Sequence, residues 1–215
     1  MITSLVPTTV SLLQKELADC ETVLDLGCGA DSPIQYVRGI NQSVGVDAFE
    51  PYLQASRKKH IHTTYKKGNI EDMVFQPQSF DAVILIDVIE HLDKKTGERI
   101  LKQAETWAQK KVIMVTPNGF IAQSGYDNNR LQEHRSGWDY QELSKLGYEC
   151  YGLAGLKSLR KPRSEDTKDT DLATSIRFSP KILWFIIASL SQIITYRMPS
   201  IAFSLFCVKN LKNQI

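Results

Sequence analysis

The chain predicts an α/β fold built on a doubly wound, mostly parallel sheet. Three observations carry this. Short apolar runs alternate with amphipathic stretches from residue 8 to about 155. The first run, 22–26, stops at Gly27-Cys28-Gly29. The run 80–86 is apolar and rich in β-branched residues, as in a strand buried on both faces.

The elements follow in order. Pro7 precedes Val10, Leu13 and Leu17, which share one helical face. Residues 22–26 form the first strand. Ser32-Pro33 opens a helix that runs through Ile34 and Val37 to about Gly39, with serine as cap and proline at the first position. Residues 43–46 form a strand ended by Asp47, and Pro51 opens a helix to about Lys58. A weak strand follows over 62–66, then the strong one at 80–86. The span 96–109 is an amphipathic helix with Ile100, Leu101, Ala104, Trp107 and Ala108 inward. Residues 111–115 form a strand halted by Pro117-Asn118-Gly119. Asp139 and Glu142 have capping-box spacing, and Gly147 ends the helix they start. Strands over 148–153 and 201–208 complete the pattern.

Composition narrows the class. A chain of 215 residues buries a sizeable core as a single domain. Its net charge of +2 is too small to argue for nucleic acid. Cys20, Cys28, Cys150 and Cys207 are scattered without a C-x-x-C pair. This predicts reduced thiols, a cytoplasmic protein and no metal site. The N-terminal residues lack the pattern of a signal peptide.

The glycine turn carries the chemistry. In an open α/β sheet, ligands bind beyond the carboxyl ends of the strands. Gly27 and Gly29 lie just past the first strand, where glycine admits positive φ and close approach of a ligand. Asp47 ends the second strand, placed to accept both hydroxyls of a ribose. A dinucleotide fingerprint needs a third glycine where this chain has Ser32. Asp25 and Asp31 flank the turn, and carboxylates there disfavour a pyrophosphate. They suit a cofactor with an amino group and a sulfonium. An NAD(P)-dependent oxidoreductase is therefore the weaker alternative. A cofactor-binding protein without catalysis is another.

The run VLDLGCGAD resembles the first motif of class I S-adenosylmethionine-dependent methyltransferases. Ser43-Val44-Gly45-Val46-Asp47, Gly68-Asn69-Ile70-Glu71-Asp72, and Phe80-Asp81-Ala82-Val83 leading to Asp87-Val88-Ile89-Glu90-His91-Leu92 resemble the later motifs in order. Residues 112–117 are similar to the family's fifth strand. The resemblance covers roughly 20–155 and the last strand. It implies a seven-stranded sheet with the last strand antiparallel and helices on both faces. It implies S-adenosylmethionine as cofactor, with Gly27, Cys28 and Gly29 at its methionine part and Asp25 at its amino end. Asp47 and the adjacent Ala48 would take the ribose. Asn69 and Ile70 would flank the adenine. Asp87 and Val88 would pass near the reacting sulfur. Two positions depart from the family pattern: Asp31 replaces a common glycine, and Asn69 replaces the usual acid.

Methyl transfer needs alignment first, and an oxygen or nitrogen acceptor can also need a base. His91, His134 and Asp87 are the candidates. The alternative for His91 is to orient a loop. The alternative for the His134-Arg135-Ser136-Gly137-Trp138 run is to dock one, with Trp138 as a staple. Tyr126, Asn128, Asn129 and Arg130 either line an acceptor site or form a solvated loop. His60 and His62 follow Arg57-Lys58-Lys59 and read as an exposed helix end.

Residues 160–198 read as an insertion before the last strand: a polar loop over 161–174, then an apolar helix over 180–197. Ser189, Ser191 and Gln192 interrupt that helix, which argues against a membrane span. It is a lid on the acceptor, a peripheral contact with the inner face of a membrane, or a dimer contact. The expected acceptor is a small molecule or a lipid- or sugar-linked one, methylated at O, N or C. The expected assembly is a monomer or homodimer.

Overall fold

Apolar side chains at alternate positions of the central strands point to opposite faces, and two separate cores form around one sheet. The structure is a computed structural model and describes residues 6–125, 127–161 and 175–211. Its strands are β1 (Thr22–Leu26), β2 (Gln42–Asp47), β3 (Thr64–Lys67), β4 (Phe80–Ile86), β5 (Ala108–Pro117), β6 (Glu149–Leu156) and β7 (Ala202–Asn210). They lie in the order β3-β2-β1-β4-β5-β7-β6. All neighbours pair in parallel except β7, which runs antiparallel to both β5 and β6. The seven-stranded sheet with an antiparallel last strand is as expected. Strand order reverses between β1 and β4, the point where an open α/β sheet leaves a crevice.

The helices are α1 (Thr9–Glu16), α2 (Glu50–Lys58), α3 (Lys94–Trp107), α4 (Tyr140–Lys145) and α5 (Lys181–Thr195). On one face Ile100, Leu101 and Ala104 of α3 and Leu143 of α4 pack on Leu24, Val83, Leu85, Val112 and Met114. On the other, Leu12, Leu13 and Leu17 cover Val23, Ala82, Ile84, Ile113 and Val115. The capping box on α4 forms: Glu142 N donates to Asp139 Oδ1 at 2.9 Å, and Asp139 N to Glu142 Oε2 at 3.1 Å.

Several expectations are corrected. The helix expected over 32–39 is one 3-10 turn, Pro33–Tyr36. Only Ile34 of that turn is buried, and Gln14 of α1 takes the backbone of Arg38: Arg38 N donates to Gln14 Oε1 at 2.8 Å. Cys150 and Cys207 are not separate thiols. They sit opposite each other on β6 and β7 and form a disulfide, while Cys20 and Cys28 are free and buried. The pair is 57 residues apart in sequence, so only strand register brings it together. His62 is no exposed helix end: it is 5% exposed, and its ring occupies the space a side chain at Gly45 would fill.

The polar loop expected over 161–174 lies, from 162 on, outside the described residues. The apolar helix does form, as α5, and packs against β6 near the carboxyl ends of the strands. Close approach is possible because Gly152 and Gly155 face it. A Cβ on Gly152 would overlap the Thr195 carbonyl oxygen and the Ala202 methyl. Gly152→Ala should therefore cost about 1–3 kcal/mol of stability through overpacking. Urea unfolding checks this; an unchanged midpoint would show that α5 is not held at this distance.

Candidate active site

The chain leaves β1 in a conformation that only glycine adopts cheaply. Gly27 has φ +69° and Gly29 φ +58°. A Cβ on Gly27 would lie 2.7 Å from a Val88 methyl, whereas one on Gly29 would meet nothing within 4 Å. The first glycine thus closes the packing between the β1 and β4 exits, and the second leaves an open cradle. Asp31, in the place of a third glycine, needs no unusual φ. It turns outward to Gln35 Nε2 at 2.6 Å and Lys59 Nζ at 3.2 Å, and these partners hold its carboxyl below the usual range.

Asp47 locks the turn to the end of β2. Gly29 N donates to its Oδ2 and Phe49 N to its Oδ1, both at 2.8 Å. A carboxylate has about four acceptor sites, so capacity remains for two hydroxyls. Burial nonetheless raises the Asp47 pKa against those hydrogen bonds.

Asp25 is 1% exposed and receives Ser32 Oγ at 2.5 Å. Burial pushes its pKa up to about 7, partly opposed by that hydrogen bond. His62 Nε2 lies 3.4 Å from Asp25 Oδ2, but neither ring nitrogen is hydrogen-bonded. Burial lowers the His62 pKa to about 4, so the ring is neutral at pH 7. The contact is therefore a neutral imidazole beside a half-ionised carboxyl, not an ion pair.

Two cavities adjoin at the switch point and share Gly27, Gly29, Asp87 and Gln132. The first is lined by Asp47, Ala48, Asn69, Ile70, Val88 and His91, among others. The second is lined by Asp25, Cys28, Asp31, Pro33, Tyr52 and Asp127, among others. Every cofactor-binding residue expected from the sequence lines one cavity or the other. The open cradle at Gly29, the spare acceptors of Asp47 and the buried acid Asp25 fit a nucleoside carrying an ammonium group. Asn69 Oδ1 already accepts Glu71 N at 3.2 Å, capping the 3-10 turn Ile70–Asp72. Glu71 also lines the first cavity, so the acid missing at 69 is present two residues on.

Asp87 is exposed at the cavity junction with φ +53°, a strained backbone for a side chain. His91 and His134 come together with ring centroids 4.8 Å apart. His91 Nδ1 is 3.1 Å from Glu133 O, and His134 Nδ1 is 2.6 Å from Ile121 O. His91 lines the first cavity and His134 neither. Burial, aided by His134 and Arg135, lowers the His91 pKa to about 4. Glu90, His91 and His134 present ligand-type atoms within 4.8 Å of one another. Glu90 is nevertheless committed: its carboxylate accepts Thr116 Oγ1 at 3.0 Å, and burial with Asp87 nearby raises its pKa well above normal.

Glu71 and Arg135, each inside a run that the sequence singled out, also line the first cavity; Tyr52, Asp127, Leu131 and Gln132 line the cavities too, and no motif marked them for this. Tyr52 Oη donates to Asp127 Oδ2 at 3.0 Å across 75 residues of chain, so no local signal announces the pair. Of the polar loop residues, Asn129 is buried in the first cavity wall, Asn128 and Arg130 are exposed, and Tyr126 lies outside the described residues. Trp138, the residue before the cap of α4, lies in the same buried cluster as Leu143 of that helix. It is 1% exposed, donates its indole N–H to Ile89 O at 3.2 Å, and fits where Gly97 leaves α3 bare.

The raised Asp25 pKa gives a test with a definite sign. The folded protein holds this proton up to about pH 7, while the unfolded chain loses it near 4. Stability therefore falls as pH rises from 4 to 7. Asp25→Asn should raise the melting midpoint at pH 8 and leave it unchanged at pH 4. The same variant should weaken cofactor binding by about tenfold or more, the loss of one charge-assisted hydrogen bond. Calorimetry at both pH values checks it; equal cofactor affinity in the variant would remove Asp25 from the site.

Residues 24–116 match the family model of a methyltransferase domain. No curated protein matches the chain in sequence. Solved structures share its fold. A putative methyltransferase from Bacillus halodurans is 14% identical with a TM-score of 0.58, covering 95% of this chain and 99% of that one. The methyltransferase domain of bacterial CtHen1 is 18% identical with a TM-score of 0.54, covering 94% and 97%. The plantazolicin methyltransferase BpumL, solved in complex with SAH, is 13% identical with a TM-score of 0.51, covering 88% and 75%. The glycine turn, Asp47 and the exits of β1 and β4 fall within the residues that match the methyltransferase-domain model, a family that uses S-adenosylmethionine, while the cavity wall over 127–135 lies beyond them.

Proposed function

We propose that the domain methylates a nucleophile on a small-molecule or a lipid- or sugar-linked acceptor, admitted through the cavity walled by Pro33, Tyr52 and Asp127. The observation that carries this reading is the pair of cavities meeting at Gly27, Gly29 and Asp87. One holds the ribose acid Asp47 and the other the buried acid Asp25, so a cofactor spanning both would cross at the junction. When bound, S-adenosylmethionine supplies the methyl electrophile, which leaves orientation and exclusion of water to the chain.

In this reading, Asp47 orients the ribose and Asp25 the ammonium end. The Tyr52–Asp127 hydrogen bond forms a polar lip that steers the acceptor. His91 and His134 are positioning residues. Their Nδ1 atoms bind backbone carbonyls of 119–139, and that segment also binds Glu90 O through Arg135 N at 2.8 Å and Ser136 N at 3.0 Å. A histidine with a pKa near 4 is a weak base at pH 7.

Release of S-adenosylhomocysteine with a panel of phenols, amines and glycolipids tests the activity. With the acceptor so found, Tyr52→Phe should raise its KM severalfold and leave cofactor affinity unchanged. His91→Gln and His134→Gln should keep kcat within about tenfold and retain the pH profile. A general base typically contributes about 10²–10⁴-fold. A loss of that size together with a missing acidic limb would instead make that histidine the base.

A further inference from the structure

α5 is amphipathic in the inverted sense. The face it turns to the sheet is small and polar: Ala188, Ser191, Gln192 and Thr195. Gln192 spans the β6 backbone, donating from Nε2 to Gly152 O at 2.8 Å and accepting Gly155 N on Oε1 at 2.9 Å. Ser191 Oγ accepts Leu156 N at 3.0 Å. The opposite face is aliphatic and open: Ile182 is 79% exposed, Leu190 and Ile194 58%, and Ile186 50%. A helix in water shows the reverse arrangement. The polar side cannot be turned outward, because its hydrogen bonds satisfy the edge of β6. Among the described residues nothing covers the apolar side. None of the described residues of α5 lines either cavity.

Charge selects the cover. Arg177 and Lys181 are exposed at the start of α5 and Arg197 just past its end. From residue 172 onward the sequence has no aspartate or glutamate. Two α5 faces packed antiparallel would set Lys181 against Arg197 of the other copy, with no acid between. An anionic lipid surface meets both demands: apolar depth along the stripe and negative charge at each end. Phe178 and Trp184 lie with ring centroids 4.9 Å apart, tilted by 42°, at the start of the helix, the kind of aromatic pair that sits at headgroup level. No described helix is long and apolar enough to cross a membrane. At fifteen residues α5 is about 22 Å long, suited to lying in the interface plane.

We infer that α5 docks the protein on the surface of an anionic bilayer, apolar face down. This places the cofactor end of the sheet toward the lipid. Asn118, at the exit of β5, donates from Nδ2 to the carbonyls of Pro199 at 3.0 Å and Ala202 at 2.9 Å, tying the end of α5 to the loop after β5. Phe120, two residues on, is 59% exposed.

Vesicle co-sedimentation of the full chain tests the inference apart from any turnover. The wild type should pellet with phosphatidylserine-containing vesicles and at least tenfold less with pure phosphatidylcholine or in high salt. Ile186→Glu with Leu190→Glu should lose binding at least tenfold, and Lys181→Gln with Arg197→Gln should lose the preference for anionic lipid. Both positions of the first pair are exposed, and a retained thermal shift with S-adenosylhomocysteine confirms folding. A wild type that ignores anionic vesicles, variants that bind as well as wild type, or a dimer abolished by the same glutamates would each overturn it.

Discussion

Gly27 packed against Val88 is the contact on which the site depends. It lies where strand order reverses, so the β1 exit and the β4 exit diverge there and leave the crevice open. Any side chain at 27 would push the two exits apart and would also strain a backbone at φ +69°. Once that contact is made, Gly29 comes within reach of Asp47, and the carboxylate fastens the turn through a backbone N–H. Each later feature, from Asp47 to the junction of the two cavities, is referenced to this pair of exits.

Burial rather than ion pairing governs the electrostatics around the crevice. Asp25, Asp47 and Glu90 all have raised pKa values, and His62 and His91 lowered ones, with desolvation the leading cause in every case. The site thus holds few full charges before a ligand arrives. A positive charge beside Asp25 would favour its ionised form. Asp31, at the exposed rim of the second cavity and paired with Lys59, shows the contrast, its carboxyl held below the usual range.

The β6 edge follows a different logic. A sheet edge must be covered or blunted, and here a helix covers it with side-chain hydrogen bonds beside a small apolar cluster around Ala188 and Leu156. Gly152 and Gly155 admit the helix, Gln192 and Ser191 satisfy the strand, and the apolar residues are left outward as a consequence. The same end of the sheet carries the loop after β5, so the exposed stripe and the cavities are mechanically joined through Asn118.

By itself the sequence determined the sheet class, the glycine turn and its partner Asp47, the capping box on α4 and part of the cavity lining, among it Asp25, Cys28, Asn69 and Val88. These are local signals: periodicity, a turn that only glycine makes cheaply, and acids at strand ends. The tertiary structure alone decided the rest, because each case joins residues far apart in the chain. His62 is a buried neighbour of Asp25 since β3 lies beside β2 and Gly45 leaves it room. Tyr52 meets Asp127, His91 meets His134, and Cys150 meets Cys207 only through strand order and register. The hydropathy of α5 was plain in the sequence, but which face looked outward was not. Hydrogen bonds to an edge strand settled that orientation.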